Sequence, residues 1–176
     1  MKKELQEKLF EKYPAIFRQK DLSAQETAMC WGLACGDGWY VLIDELCGEI
    51  QNRVNNVNRG RKYKIENSPS SIVPTKVEML ICEAVQVKEK FGGLRFYIYG
   101  GDDFIDGAIS LAESMSYRIC SKCGSKKDTP HSDRGWIHST CSNCQDKFLK
   151  ARSKVLDTHN EVFEALADSN DKDQGE

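Results

Sequence analysis

The stretch Val85-Gln86-Val87-Lys88-Glu89-Lys90-Phe91-Gly92-Gly93-Leu94-Arg95-Phe96-Tyr97-Ile98-Tyr99 decides the fold class. Two alternating runs flank a glycine pair, and glycine supplies the positive φ that a two-residue hairpin turn requires. A turn at Gly92-Gly93 sets Phe91 opposite Leu94, Lys90 opposite Arg95, Glu89 opposite Phe96, Lys88 opposite Tyr97, Val87 opposite Ile98 and Gln86 opposite Tyr99. One surface then carries Phe91, Leu94, Phe96, Val87 and Ile98, with Glu89 as its odd member. The other carries Lys88, Lys90, Arg95, Tyr97, Tyr99 and Gln86. A basic sheet face interleaved with tyrosines suits phosphates and stacked bases. The competing reading is cover by an acidic segment of the same chain, 102–113 or 157–173. Lys90 against Arg95 costs stability unless something negative lies over them. Glu89 reads as a paired carboxylate rather than a catalyst.

Working outward, residues 2–18 carry Leu5, Leu9, Phe10 and Phe17 near one helical face, with Pro14 as a break. Asp37 reads as the N-cap of a second helix through Trp39, Leu42, Ile43, Leu46, Ile50, Val54 and Val57. Asn58 to Lys64 reads as a polar, basic loop, and Ser68-Pro69-Ser70-Ser71 with Pro74 continues it. After the hairpin, Asp102 or Asp103 caps a third helix through Phe104, Ile105, Ala108, Leu111, Ala112 and Met115. The string Gly100-Gly101-Asp102-Asp103-Phe104 superficially matches a metal-binding palm hairpin. Such a site needs a following strand, and a helical pattern follows instead, so capping accounts for the pair.

Cys120, Cys123, Cys141 and Cys144 form two C-x2-C pairs separated by 17 residues. Each pair can set two thiolates on one tight turn, and two turns complete a tetrahedral site for one structural Zn(II). Four thiolates leave no open position for substrate. Gly124 closes the first knuckle with a residue that tolerates positive φ. Asn143 gives the second some of the same tolerance. Gly135-Trp136-Ile137-His138 reads as a strand returning to the second knuckle, and His131 or His138 is a minority substitute for one cysteine. Lys122, Lys126, Lys127 and Lys147 favour the ionised thiolates. Cys30, Cys35, Cys47 and Cys82 fit no knuckle spacing and read as buried free thiols.

The expected class is α+β: helices packed on a small antiparallel sheet, a zinc-ribbon module and a long C-terminal helix. The expected division is a core at 1–117, the ribbon at 118–146, a helix at 147–168 (its pattern traceable from about 145) and a disordered tail at 169–176. The last helix repeats Phe148/Leu149, Val155/Leu156 and Val162/Phe163 every seven residues. Self-association through 148–163 is the minority reading, because Arg152 and His159 interrupt the second seam.

The chain has 176 residues, 40% hydrophobic, enough for one core and a satellite module. No apolar run nears the roughly 20 residues that span a bilayer, and no leader pattern opens the sequence. A reducing cytoplasm is the expected setting. The net charge of −2 conceals blocks. Residues 51–95 hold nine Lys/Arg against four Glu, and 118–152 hold eight against three Asp, between acidic segments. No Walker loop, HExxH or nucleophile elbow is present.

Taken together, Gly36-Asp37-Gly38-Trp39-Tyr40-x-Leu42-Ile43, Lys88-Glu89-Lys90-Phe91-Gly92-Gly93-Leu94-Arg95-Phe96-Tyr97 and the knuckles with Gly135-Trp136 before Cys141 resemble a set of short phage and prophage proteins. The resemblance covers about residues 30–145. It implies a small protein made inside a bacterial host and carries no activity with it. The sequence therefore predicts a non-enzymatic, zinc-stabilised binding protein. Its nucleic-acid contacts would come from Lys88, Lys90, Arg95, Tyr97 and Tyr99 on the hairpin and Lys122, Lys126 and Lys127 on the knuckle. The alternative is an interaction factor that binds and modulates a host enzyme or defence component.

Overall fold

The computed structural model describes residues 1–67, 78–127, 137 and 139–172. It is an α+β fold. Helix α1 (Lys3–Lys12) leads through two 3-10 turns to a short strand β1 (Leu33–Ala34). A third 3-10 turn (Asp37–Trp39) opens α2 (Tyr40–Glu66). Strands β2 (Cys82–Lys90) and β3 (Gly93–Gly100), then α3 (Asp103–Ser116) and α4 (Ser142–Lys172), complete it. The sheet order is β1-β2-β3, with β1 parallel to β2 and β3 antiparallel.

The sheet's inner face and the first three helices share one core. Leu9, Phe17, Trp39, Ile43, Ile50, Val87, Leu94 and Ile105 are fully enclosed in it. Pro14 does end α1, and the chain turns there so that Ile16 and Phe17 enter the core behind Leu9. The Ile16 carbonyl accepts from Ala84 N–H at 2.7 Å, joining this turn to β2. Asp102 caps α3 as expected, accepting from Ile105 N–H and pairing with Arg53 at 2.9 Å.

The hairpin register differs from the expected one. The turn residues are Phe91 and Gly92, at φ 53° and 76°, and the pairs are Lys90–Gly93, Glu89–Leu94, Lys88–Arg95, Val87–Phe96 and Gln86–Tyr97. Every partner has moved by two residues, so the two faces keep their membership and only Phe91 leaves, to stand 65% exposed. Two contacts explain the shift. Gly93 is needed in the strand, because a Cβ there would lie 2.4 Å from Cζ of Tyr117. Glu89 is needed beside the turn, where its carboxylate accepts Gly92 N–H at 2.7 Å. A bulge between Ala84 and Gln86 then sets Ala84 opposite Ile98.

Three helix boundaries also differ. Asp37 does not cap α2 with its side chain. Its carboxylate takes Lys2 N–H at 2.7 Å instead, and Trp39 stands at the N-cap position. Asn58 to Lys64 is helix rather than loop. Asn58 anchors the last turns by bonding both N–H and C=O of Leu80, and Arg61 reaches the Glu78 carbonyl. These bonds supply what an apolar stripe does not. Helix α4 starts at Ser142, inside the second knuckle, and runs to Lys172. The expected loop at 68–77, the strand at 135–138 apart from Ile137, and residues 173–176 lie outside the described residues. Among the described residues no helix is long and apolar enough to cross a membrane.

If 58–64 is helical, Gly60→Ala should stabilise the protein by about 0.5–1 kcal/mol, since a Cβ at Gly60 meets nothing within 4 Å. Urea unfolding followed by circular dichroism measures this. An unchanged midpoint would return the segment to a loop.

Candidate functional site: a four-cysteine centre and the hairpin face

A C-x2-C pair fits one turn of backbone, and the two pairs here use two different kinds of turn. The first, Cys120 to Gly124, is a tight knuckle. Gly124 N–H donates to Cys120 C=O at 2.8 Å, and Gly124 sits at φ 76°, the positive value expected of it. The second is the start of α4, with Gln145 N–H donating to Cys141 C=O at 3.0 Å. The spacing of three puts both sulfurs on one side of a helical turn. The partial positive charge of the helix N-terminus then faces the thiolates.

The four sulfurs all lie within 4.8 Å of one another, and Cys123 Sγ stands 3.7 Å from Cys141 Sγ. Four thiolates at 2.3 Å from one tetrahedral ion would be about 3.8 Å apart, so the cluster has the dimensions of a metal site. Burial pushes the Cys120 thiol up, but N–H groups of Cys141, Cys123 and Lys122 and the Cys123 thiol outweigh it, leaving about 7. Cys144 is pushed up to about 12 by burial and by the other three cysteines. At Cys123 a Ser125 N–H and the Cys144 thiol pull downward, but burial and the Cys120 and Cys141 thiols outweigh them and leave it raised. A divalent cation bound by all four sulfurs would displace the protons they carry and leave a net charge of −2 on the centre. Cys120 and Cys141 are buried, and Cys123 is exposed.

The centre is sutured to the core by backbone. Gly38 N–H donates to Ser121 C=O at 2.9 Å, and Trp39 Nε1–H donates to Ile119 C=O at 3.0 Å. A Cβ at Gly36 would lie 1.9 Å from the Ser121 oxygen. One at Gly38 would lie 2.1 Å from the Cys120 oxygen and 2.4 Å from Gly124 N. On the other side, Ser121 N–H donates to Ser139 C=O at 2.6 Å, and the Ser139 hydroxyl donates to Gly92 C=O at the hairpin turn. Gly36 and Gly38 entered the sequence analysis only within the string around the Asp37 cap, and Ser139 not at all. Two glycines one residue apart, just before a buried tryptophan, were the available signal of close backbone approach.

The other cysteines behave as core. Burial holds the Cys35 thiol up at about 11 and the Cys82 thiol at about 12, with Asp106, Asp102 and Glu83 adding to the latter. Burial also raises the Cys47 thiol well above its usual range. Cys30, half-buried, donates to the Thr27 carbonyl. Among the described residues they join no metal cluster. The candidate ligands His131 and His138 lie outside the described residues.

The outer hairpin face is open. Tyr97 and Tyr99 are 41% and 60% exposed, and Lys88 Nζ stands 5.6 Å from the Tyr97 ring centroid. Lys90 is exposed, over the Phe91 ring. Arg95 is drawn to the sheet edge instead. It donates to Tyr117 Oη at 2.8 Å and pairs with Glu113 at 3.5 Å. Glu113 and Ser116 also accept the edge N–H groups of Phe96 and Leu94, at 2.9 and 2.8 Å. The expected acidic element thus seals one edge of β3 and takes one cation. Among the described residues, the acidic segment meets the basic face through Glu113. Lys122, Lys126 and Lys127 are exposed on the first knuckle. Lys126 lines a 590 Å³ groove between α2 and α3, with Val41, Leu42, Leu111 and Met115.

No family model, curated protein or solved structure matches the chain at a significant level.

Gly38→Ala should cost about 1–3 kcal/mol, because backbone on both sides must move to admit the methyl group. It should also speed metal loss to a chelator. Gly107→Ala, which opens onto empty space, is the control. Equal metal retention in both variants would dissociate the glycine loop from the centre.

Proposed function

We propose that the chain is a non-enzymatic binding protein in which one structural zinc ion fixes a ribbon module against the core, and the outer hairpin face contacts nucleic acid. Zinc is the ion of choice for four thiolates in a tetrahedral set, and a filled shell gives it no catalytic position. The phage or prophage origin suggested by the sequence belongs to the same proposal, as does a bacterial cytoplasm.

The observation that carries the nucleic-acid reading is half-buried Lys88 over the exposed Tyr97 ring, with Tyr99 open beside it. Lysine on a sheet face can meet phosphate while neighbouring tyrosines stack on bases, a mode suited to single strands. Lys90 extends the positive line toward the turn. Arg95, already engaged by Glu113 and Tyr117, would act from the edge. The knuckle lysines would add sequence-independent attraction.

The alternative, a factor that binds a host protein, draws on the groove between α2 and α3. Its apolar floor carries Glu45 and Glu49, so its occupant would be an amphipathic segment with basic flanks. Leu111→Glu would abolish capture of that partner without touching oligonucleotide binding.

Native mass spectrometry should find one zinc per chain, lost in Cys120→Ser. A folded, metal-free wild type would refute the centre. For the hairpin, fluorescence anisotropy with labelled single-stranded DNA and RNA is the measurement. Reversing Lys88 and Lys90 to Glu should weaken binding by about tenfold or more and lower the salt slope by about 0.7 for each lost phosphate contact. Tyr97→Ala should cost about 1–3 kcal/mol for a stacked base. Unchanged affinity in both variants would exclude this face.

A further inference from the structure

Helix α4 is 31 residues long, about 46 Å at 1.5 Å per residue. Every residue from Asp146 to Leu156 is exposed, so after its first turn the helix leaves the domain. Phe148, Leu149, Val155 and Leu156 are 61, 48, 69 and 52% exposed. Helices in water draw most of their stability from packing an apolar face, which this one lacks within the described residues of its own chain.

The sequence of α4 is ordered by face. Phe148/Leu149, Val155/Leu156 and Val162/Phe163 fall every seven residues on one stripe, with Arg152 and His159 midway between them. Positions flanking the stripe are small or neutral: Ala151, Ser153, Thr158 and Asn160. Lys147, Lys150, Lys154, Asp157, Glu161 and Glu164 all take register positions on the opposite side. Charge is also ordered along the axis. Residues 146–156 hold four Lys/Arg against one Asp, and 157–172 hold five Asp/Glu against one Lys.

We propose that α4 pairs with α4 of a second copy of this chain, antiparallel, about a two-fold axis between Val155 and Leu156. In that arrangement the stripe matches its own reverse. Phe148 and Leu149 come level with Phe163 and Val162 of the partner subunit, and Val155 with Leu156 of the partner subunit. Arg152 comes level with His159 of the partner subunit. A parallel pair would instead set Arg152 against its own copy in the seam and lay basic half on basic half. The antiparallel pair lays basic half beside acidic half. Those charges take outer positions where salt screens them, so the matched apolar layers, and the avoidance of Arg152 against its own copy, carry the orientation. The proposal is independent of the nucleic-acid reading and of the occupant of the α2–α3 groove.

Sedimentation equilibrium of the full-length, metal-loaded protein should give twice the chain mass, with a concentration-dependent midpoint. The double substitution Val155→Glu and Leu156→Glu, which sets glutamate against glutamate across the axis, should give a monomer of unchanged zinc content. Orientation is read by mixing Phe148→Cys and Phe163→Cys proteins under mild oxidation and mapping disulfide-linked peptides by mass spectrometry. Mixed 148–163 links are expected. A wild type that stays monomeric across the concentration series would overturn the proposal. So would a dimer that survives the double substitution, as one docked through the α2–α3 groove would, or links joining only like positions.

Discussion

The close approach of the Gly36-Asp37-Gly38 backbone to the first cysteine knuckle is the constraint on which the rest of the structure depends. Both glycines lie where any Cβ would meet backbone atoms of residues 120–124. Immediately after them, Trp39 is fully buried and donates to the Ile119 carbonyl. One short segment therefore starts α2, anchors the core and seats the cysteine centre. The second knuckle, through Ser139, reaches the hairpin turn at Gly92. A metal ion joining the two knuckles would hold α2, the hairpin and α4 in one frame, because each has a backbone bond to a residue within the module or begins inside it.

That arrangement separates two roles. The centre has the geometry of a fixture: crowded sulfurs, backbone donors and a helix N-terminus, with two of its four cysteines buried. The proposed binding chemistry would lie on surfaces that the fixture positions. On the outer hairpin face, Lys88 and the two tyrosines remain available, whereas Arg95 and the β3 edge are consumed by Glu113, Ser116 and Tyr117. Capping those edge N–H groups also protects the strand from pairing with another chain.

How much was legible in the sequence follows from the range of each interaction. The cysteine quartet, the acidic cap of α3 (Asp102 of the two candidates), the break at Pro14 and the membership of the hairpin faces apart from Phe91 rest on local spacing, and each is present as read. The register was misplaced by two residues because the deciding contact is distant: Tyr117 lies 24 positions beyond Gly93. The helical character of Asn58 to Lys64 was hidden for a similar reason. Its polar residues bond to Glu78 and Leu80 across the following connection rather than displaying an apolar stripe. Asp37 looked like a cap until Lys2 claimed its carboxylate. Local signals carried the centre, and long-range partners decided the boundaries.

Amide hydrogen exchange before and after metal removal addresses the central claim most directly. With the metal chelated, exchange should rise at Gly38, whose N–H donates to Ser121, and across residues 120–125, while amides of the α2–α3 core and the β2–β3 ladder keep their protection. Unchanged protection at Gly38 and 120–125 after complete metal removal would contradict the account, because the knuckle would then be held by the polypeptide alone.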